Sequence, residues 1–215
     1  MACSQCQCGG ANRFGKREAE RRLRSYRRKG PDATTKMLLD ALAAEGVDGL
    51  SLLDIGGGVG AIALELFKSG VTAATEVDAS SEYVRVARAE AEQRGFTDRI
   101  ECREGDFVAL AADLPSAGIV TLDRVICCYP DMHALVGKSA DKAARLYGAV
   151  FPRDLWWVRI VSTLSNLALR LVRYPVQLYL HPTAEVDSLI RSRGLEPHFH
   201  RNAGFWQVTV YARSA

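Results

Sequence analysis

The sequence predicts a doubly wound α/β domain, in which helices cover both faces of a mostly parallel sheet. The segment from Leu50 to Ile55 is largely apolar, as expected of a strand that is buried on both faces. A cluster of glycines follows at once and leads into an amphipathic helix, and strand-like segments then alternate with helical ones as far as Phe151. A chain of 215 residues with 48% hydrophobic residues suits one such domain with a sizeable core.

Composition excludes several classes of protein. The formal net charge of +3 is too small to indicate a nucleic-acid partner by itself. The apolar segment from Leu155 to Leu180 is not expected to span a membrane, because charged residues and a proline interrupt it at Arg159, Arg170, Arg173 and Pro175. No secretion signal is recognisable, so we expect a cytoplasmic protein whose six cysteines do not form a disulfide scaffold.

The first 31 residues are predicted to be a tail and a basic arm, and the domain proper is expected over 32–215. The tail carries Cys3, Cys6 and Cys8, which could bind a soft metal, although a closed zinc site needs a fourth ligand and none stands nearby. A mobile tail is the simpler interpretation, and the sequence leaves a thiol or metal role open.

A densely basic helix is predicted over 13–29, and Gly30 ends it. Its thin apolar stripe indicates a helix that is mostly solvated. The sequence leaves open whether this helix is only a charged surface or an arm that closes over a cleft. Tyr26 is the residue on it that we expect to reach a ligand. A second helix, which leads to the first strand, is predicted to start at a cap formed by Thr34 or Thr35.

The remaining elements follow from apolar periodicity and from the glycines and prolines that end each segment. After the glycine cluster we predict, in order, a helix closed by Gly70, a strand over 71–77, a helix over 81–94, strands over 99–103 and from Ile119, a strand over 145–151, helices over 154–173 and 183–193, and an antiparallel pair over 195–201 and 205–212.

The glycine cluster after the first strand predicts a ligand site. A side chain at Gly56 or Gly58 would prevent a ligand from lying against the backbone, and the helix that starts near Val59 directs its free N–H groups to the same place. Asp54 adds a carboxylate at the carboxyl end of the strand, where open α/β sheets bind their ligands. The pattern indicates a nucleotide-like ligand, and the acid suits a cationic one.

Two families of cofactor fit these glycines. Gly56, Gly58 and Ala61 satisfy the dinucleotide pattern G-x-G-x-x-G/A, which is a weak signal alone. Gly60 instead extends the series to G-x-G-x-G, and Asp54 stands where a dinucleotide strand usually has an apolar residue. The segment resembles the first motif of class I S-adenosylmethionine-dependent methyltransferases. That resemblance implies a seven-stranded sheet, S-adenosylmethionine as the cofactor, and an acid at the position of Asp54 near its methionine end.

Two later segments repeat the resemblance. Asp78 ends the second strand about 20 residues after the glycines, where an acid can accept both hydrogen bonds of a ribose diol. Glu76 is the alternative acid, and Asp78 could instead only cap the next helix. Asp106 and Phe107 resemble the third motif, in which the acid binds the adenine amino group. The cofactor-binding residues implied are Asp54, Gly56, Gly57, Gly58, Gly60, Asp78, Ala79, Asp106, Phe107 and Asp123.

The loop after the fourth strand faces the transferred methyl group in this fold, so we expect the acceptor chemistry there. Its pattern Leu-Asp-x-x-Ile-x-x-Tyr-Pro, which includes Asp123, is similar to that of the magnesium-protoporphyrin O-methyltransferases, with Cys128 at the place of their His. That family has a Tyr on its N-terminal arm, and Tyr26 matches it. Tyr26, Tyr129 and His133 are therefore our candidate catalytic residues.

Two further features near this loop bear on the acceptor. Cys127 and Cys128 are adjacent thiols that either pack in the core or bind a thiophilic substrate. Residues 154–173 resemble the lid that related methyltransferases insert after strand five, although an ordinary packed helix fits as well. On this lid we expect Trp156 or Trp157 near the substrate and Arg159 to pair a substrate carboxylate.

The sequence therefore predicts methyl transfer from S-adenosylmethionine (EC 2.1.1.-) to an apolar small molecule, with or without a carboxylate, and favours O-methylation. Three alternatives remain: an RNA methyltransferase that uses the basic arm, a cofactor-binding regulator without turnover, and a methyltransferase directed at thiols or metalloids. No metal is expected, and the oligomeric state is not determined by the sequence.

Overall fold

A computed structural model describes residues 15–171 and 178–213. Over these residues the chain forms a seven-stranded sheet with the strand order β3-β2-β1-β4-β5-β7-β6. Strands β1 to β5 run parallel, and β7 runs antiparallel to both β5 and β6. The predicted fold class, a mostly parallel doubly wound sheet with a terminal antiparallel pair, is confirmed.

The strands are β1 (Ser51–Ile55), β2 (Ala73–Asp78), β3 (Ile100–Glu104), β4 (Ala117–Asp123), β5 (Ala143–Pro152), β6 (Leu195–Ala203) and β7 (Trp206–Arg213). The α-helices are α1 (Lys16–Lys29), α2 (Ala33–Ala44), α3 (Ala61–Phe67), α4 (Ser81–Gln93), α5 (Phe107–Leu110), α6 (Met132–Lys142), α7 (Trp156–Leu171) and α8 (Thr183–Arg191). Short 3-10 turns follow at Ala111–Asp113 and Ile126–Cys128.

The apolar core lies in two layers, one on each face of the sheet. Leu53 and Ile55 of β1 contribute to the layer under α6 and α8. Leu52 contributes to the opposite layer, where Leu38 of α2 and Leu66 of α3 pack. Because successive side chains of a strand point to opposite faces, a strand covered on both sides needs apolar residues at both parities. This arrangement explains the largely apolar sequence of β1 and fixes the position of the glycine cluster that follows it.

Several local assignments differ from the sequence prediction. Asp32, and not Thr34 or Thr35, caps α2, because its carboxylate accepts the backbone N–H groups of both threonines, at 3.2 and 3.1 Å. Helix α6 was not predicted; Asp131 caps it through the N–H of Ala134 at 2.9 Å. The sequence did carry a signal for this helix, because its buried residues Met132, Leu135, Val136 and Ala140 follow helical spacing.

The basic helix α1 packs on α4 and is not wholly solvated. Ala19 of α1 is buried in a small cluster with Tyr83 and Val86 of α4. Arg27 donates through Nε to Glu90 of α4 at 2.8 Å. Because the arm packs against the domain, the contacts do not define a boundary between them. The boundary at residue 31 therefore stays a prediction. Cys3, Cys6, Cys8 and Arg173 lie outside the described residues.

Candidate functional site

A cavity of about 660 Å³ opens at the carboxyl ends of β1, β2 and β4, beside the glycine turn. Parallel strands end together at this edge of the sheet, so loops distant in sequence meet there. Nine of the predicted cofactor-binding residues line the cavity: Asp54, Gly56, Gly57, Gly58, Asp78, Ala79, Asp106, Phe107 and Asp123. Gly60 does not line it but forms the N-cap of α3.

The glycines permit a backbone that other residues would not adopt. Gly56 has a φ of 71°, and a Cβ there would lie 2.4 Å from Cγ2 of Val125. Gly60 has a φ of 79°, and a Cβ there would lie 3.0 Å from Oε1 of Glu76. Both positions therefore require glycine for conformation as well as for space. The turn leaves the backbone of 56–58 facing the cavity without covering side chains.

Asp78, and not Glu76, enters the cavity. Asp78 accepts hydrogen bonds from the backbone N–H of Gly58 at 3.1 Å and of Ser80 at 2.8 Å. Burial raises the pKa of Asp78, and these two hydrogen bonds act in the opposite direction. Ser80 caps α4 by accepting from the N–H of Tyr83 at 3.4 Å, so Asp78 is not the helix cap. Glu76 lies beneath the glycine turn instead.

Asp54 is almost completely buried at the inner end of the cavity. One carboxyl oxygen accepts from the hydroxyl of Thr121 at 2.6 Å. The other oxygen, Oδ2, has no hydrogen-bond partner among the described residues. Burial, with the charges of Asp123 and Asp78, raises the pKa of Asp54 to about 7, although the Thr121 hydrogen bond lowers it. A carboxyl group that lines a cavity and has an unpartnered buried oxygen is well suited to a cationic ligand.

Asp106 and Tyr129 form a pair at the other end of the cavity. Asp106 caps the short helix α5 through the N–H of Val108 at 3.0 Å. Its two oxygens also accept from the hydroxyl of Tyr129, at 3.1 and 3.0 Å. Phe107 is buried and lines the cavity beside them. Tyr129, which was predicted as a catalytic residue, is thus hydrogen-bonded to the acid that was predicted to bind adenine.

Asp123 belongs to a polar cluster that the sequence analysis missed. Arg124 adopts a φ of 62° and donates to Asp123 at 2.9 Å and to the hydroxyl of Thr35 at 2.9 Å. Its guanidinium also contacts Asp32 at 2.6 Å. The cluster ties the start of α2 to the end of β4 at the cavity wall. Asp32 was a visible N-cap signal before α2, but nothing in the sequence indicated Arg124 as its partner.

Tyr26 lines the cavity, but its hydroxyl is engaged. It donates to Glu65 of α3 at 2.7 Å, and the guanidinium of Arg94 lies 5.3 Å from the ring centroid. Burial, followed by the hydrogen bond to Glu65, raises the pKa of Tyr26. The phenol is therefore not a base at neutral pH. The neighbouring side chains on α1 that line the cavity, Arg22 and Lys29, supply positive charge at its edge.

His133 lies outside the cavity, contrary to the expectation that it serves the acceptor. It is on the exposed face of α6, its side chain is 64% exposed, and its Nε2 lies 2.8 Å from Glu185 of α8. The reason is helical: position 133 falls in the first turn of α6, on the side facing α8. His181, which was not predicted as a site residue, contacts a residue of the cavity wall: its Nε2 lies 3.0 Å from the carbonyl oxygen of Tyr129.

The predicted lid residues also lie outside the cavity wall. Trp156 is 74% exposed, and Arg159 donates to Asp154 at 2.7 Å, so Arg159 already has an acidic partner. Trp157 reaches the site indirectly, because its ring lies 6.5 Å from that of Phe205, which lines the cavity. Helix α7 carries further exposed apolar residues at Ile160, Val161, Leu164, Leu167 and Leu171.

The two adjacent cysteines both line the cavity. The Sγ atoms of Cys127 and Cys128 lie 3.8 Å apart, and both thiols donate to the carbonyl oxygen of Arg124, at 3.5 and 3.6 Å.

Over residues 15–171 and 178–213, no three His, Cys, Asp or Glu side chains are grouped so that they could hold a metal ion. Within the same ranges, no helix has both the length and the apolar character needed to cross a membrane.

Comparison with known proteins supports the predicted resemblance. Residues 52–150, just under half of the chain, match the model of a methyltransferase domain. The ribosomal protein L11 methyltransferases of Desulfitobacterium hafniense and Deinococcus radiodurans are 29% and 31% identical over 115 and 117 residues. These matches cover 52% and 54% of this chain but only 36% and 42% of the relatives, so the chain matches less than half of each relative's length.

The fold is similar to that of solved methyltransferases. Magnesium protoporphyrin IX methyltransferase from Synechocystis, crystallised with S-adenosylhomocysteine, superposes with a TM-score of 0.73 at 18% identity, covering 95% of this chain and 98% of that one. The same enzyme with S-adenosylmethionine gives a TM-score of 0.71 at 17% identity over 100% of both chains. At this identity the likeness shows the fold alone, which is the class I fold that the first motif predicted.

Proposed function

We propose that this chain, whose residues 52–150 match a methyltransferase domain, transfers a methyl group from S-adenosylmethionine to a small-molecule acceptor. One observation carries the proposal. The cavity brings together the three carboxylates of Asp54, Asp78 and Asp106, each from a different strand end, along a glycine turn with an open backbone. These are the acids expected for the methionine, ribose and adenine parts of the cofactor.

The residues present fit that cofactor. The unpartnered Oδ2 of Asp54 is suited to the cationic methionine end, and Asp78 is oriented by two backbone N–H groups toward a ribose diol. Asp106 and Phe107 offer an acceptor oxygen and an apolar ring for adenine. When bound, S-adenosylmethionine supplies an electrophilic methyl group on a sulfonium sulfur. The protein then contributes alignment and exclusion of water more than bond-making groups.

The acceptor is proposed to be apolar with a carboxylate, and its oxygen to receive the methyl group. The wall beyond the glycine turn is apolar at Leu135, Leu178, Phe205 and Trp206, while Arg22 and Lys29 stand at the edge. A carboxylate is already ionised at neutral pH, so its methylation requires no base. This agrees with a cavity in which Tyr26 is held protonated and His133 does not take part.

Incubation with labelled S-adenosylmethionine tests the proposal. Label transferred to a metabolite extract, with the product identified by mass, is the expected result, and total RNA is assayed in parallel. The Gly58→Leu variant should lose cofactor binding, because a side chain at this position occupies the backbone face of the cavity. Gly95→Leu is the matched control, since Gly95 has a similar φ of 75° and open space around it.

An RNA methyltransferase is the second candidate, because the exposed face of α1 carries several basic residues beside the cavity. A polycation that follows a phosphate backbone binds with an affinity that falls steeply with salt. Label found only in RNA, together with such a salt dependence, would replace the small-molecule proposal. Cofactor affinity without any methylated product would instead indicate a regulator.

A further inference from the structure

The large apolar side chains that are exposed in the described part of the chain all lie on helix α7. They recur at helical spacing and fall within an arc of about 140° on the helix circumference. An exposed apolar patch of this kind indicates a binding surface. We call it the apolar stripe, and its members are Trp156, Trp157, Ile160, Val161, Leu164, Leu167 and Leu171.

Helix α7 packs on the domain through a different and more polar face. Val158 and Ser162 are buried, and Asn166, one turn further, makes two hydrogen bonds to the backbone of Leu178, each 2.8 Å long. Because Leu178 lines the cavity, these contacts hold α7 at the cavity wall. An amphipathic helix in a globular protein normally turns its apolar stripe to the core, and α7 turns it to solvent instead.

A strongly basic surface borders the same cavity. Helix α1 holds eight basic and two acidic residues, and its Arg22 and Lys29 line the cavity. The apolar stripe adjoins the cavity too, since the ring of Trp157 lies 6.5 Å from that of Phe205 in the cavity wall. Helix α7 has no acidic residue in its sequence. The surface around the cavity therefore combines an exposed apolar stripe with an excess of positive charge.

We propose that α7 and α1 together bind the surface of a membrane that carries anionic headgroups. The apolar stripe enters the boundary between headgroups and acyl chains, where amphipathic helices lie in the membrane plane and where tryptophan is favoured. The basic residues of α1 attract the headgroup phosphates. In this bound state the cavity lies next to the bilayer, which is a source of apolar acceptors. The supply of an acceptor rests on the proposed function, whereas membrane binding itself does not.

The charges favour a membrane over two other occupants of the stripe. A second copy of the chain, docked on α7, would bring two strongly basic surfaces toward each other, which like charges oppose. An RNA phosphate backbone would pair with α1 but would leave the apolar stripe in water. An anionic lipid surface complements the apolar stripe and the basic helix at the same time.

Flotation of the full chain with lipid vesicles, in the absence of cofactor, tests the proposal. Vesicles of phosphatidylcholine are compared with vesicles that contain an equal part of phosphatidylglycerol. Wild-type protein is expected to float with the anionic vesicles, and added salt should weaken this binding without abolishing it, because salt screens charges but not apolar insertion. Vesicles with brominated acyl chains should quench the tryptophan fluorescence, since Trp156 and Trp157 enter the bilayer.

A variant of the stripe and a matched control identify the surface. Leu164→Gln should lower the affinity for anionic vesicles roughly tenfold, because a side chain that is 60% exposed in solution no longer enters the acyl chains. Ser165→Gln introduces the same residue at the next position, which is exposed but outside the stripe, and should bind within about twofold of wild type. Both variants should keep the thermal midpoint of the wild-type protein.

A second variant tests the basic helix. Arg17→Gln combined with Arg28→Gln changes two exposed residues of α1 that do not line the cavity. Affinity for the anionic vesicles should fall roughly 30-fold, and binding to phosphatidylcholine alone should not change.

Several outcomes would overturn the proposal. These are a wild-type protein that does not bind anionic vesicles, undiminished binding by Leu164→Gln, and vesicle binding without quenching by the brominated chains. A dimer in sedimentation velocity that Leu164→Gln dissociates, without vesicle binding, would assign the stripe to a second copy. Binding to total RNA but not to vesicles would assign α1 to nucleic acid. Binding of S-adenosylmethionine is measured separately without vesicles, so none of these outcomes decides the proposed function.

Discussion

The hydroxyl of Tyr129 donates to both carboxylate oxygens of Asp106, at 3.1 and 3.0 Å, and so joins the loop after β4 to the loop after β3. This contact orients the acid that we assign to adenine. It also commits the phenol to the cofactor side of the cavity, although its position in the sequence suggested a role at the acceptor.

Tyr129→Phe is therefore expected to weaken cofactor binding more than turnover. Loss of one hydrogen bond to a charged acceptor costs about 1.5–3 kcal/mol, which corresponds to roughly a 10- to 150-fold increase in the Kd for S-adenosylhomocysteine. Calorimetric titration measures this, with kcat at saturating cofactor close to wild type. An unchanged Kd with a reduced kcat would instead assign Tyr129 to the transfer step.

His133→Ala should leave kcat/KM within about twofold of wild type, because the ring lies on the surface against Glu185 and outside the cavity. His181→Ala is the contrasting variant, since His181 contacts the carbonyl oxygen of Tyr129 at 3.0 Å and supports the loop after β4. Steady-state kinetics on the identified acceptor compare the two. A tenfold loss of kcat/KM in His133→Ala would show that this residue takes part in catalysis after all.

The contact between Arg124 and Asp32 should stabilise the start of α2. Arg124→Ala and Asp32→Asn are each expected to lower the free energy of unfolding, with a coupling energy of about 0.5–3 kcal/mol in a double-mutant cycle. Urea titration at constant ionic strength measures the cycle. Purely additive effects of the two substitutions would show that the contact contributes nothing to stability.

Stability should depend on pH through Asp54. Its pKa is about 7 in the folded protein and near its ordinary value of 3.8 in the unfolded chain, so the folded state binds the extra proton. The free energy of unfolding therefore falls as pH rises from about 4 to 7 and changes little through this group above 7. The loss is of order 1–4 kcal/mol at neutral pH.

Asp54→Asn should remove much of this dependence and raise the thermal midpoint at pH 8, while abolishing cofactor binding. Asp98→Asn, at an exposed position, is the matched control and should change neither the pH dependence of stability nor cofactor binding. Thermal unfolding at pH 5 and pH 8 makes the comparison. A variant that is destabilised equally at both pH values would mean that Asp54 is ionised and well compensated in the fold.

The elements nearest the glycine turn could be predicted well because their signals are local. Residues 50–67 carry an apolar strand, a turn that needs a positive φ at Gly56, and a helical stripe, and the structure has these elements within a residue or two. The position of Asp78 also followed from counting along the chain. Helix α6 was missed although the sequence carries both the cap at Asp131 and an apolar stripe at helical spacing.

Sequence alone determined that this chain folds into a doubly wound α/β domain with a nucleotide-like site at the glycine turn, because periodicity and turn chemistry act over a few neighbouring residues. The tertiary structure decided which side chains share that site. In the structure Tyr129 donates a hydrogen bond to Asp106, and Arg124 forms an ion pair with Asp32. His133 lies on the surface, and Glu76 lies beside Asp54 on the neighbouring strand. These pairings depend on strand register and on the meeting of loops from different strand ends, which no local pattern encodes.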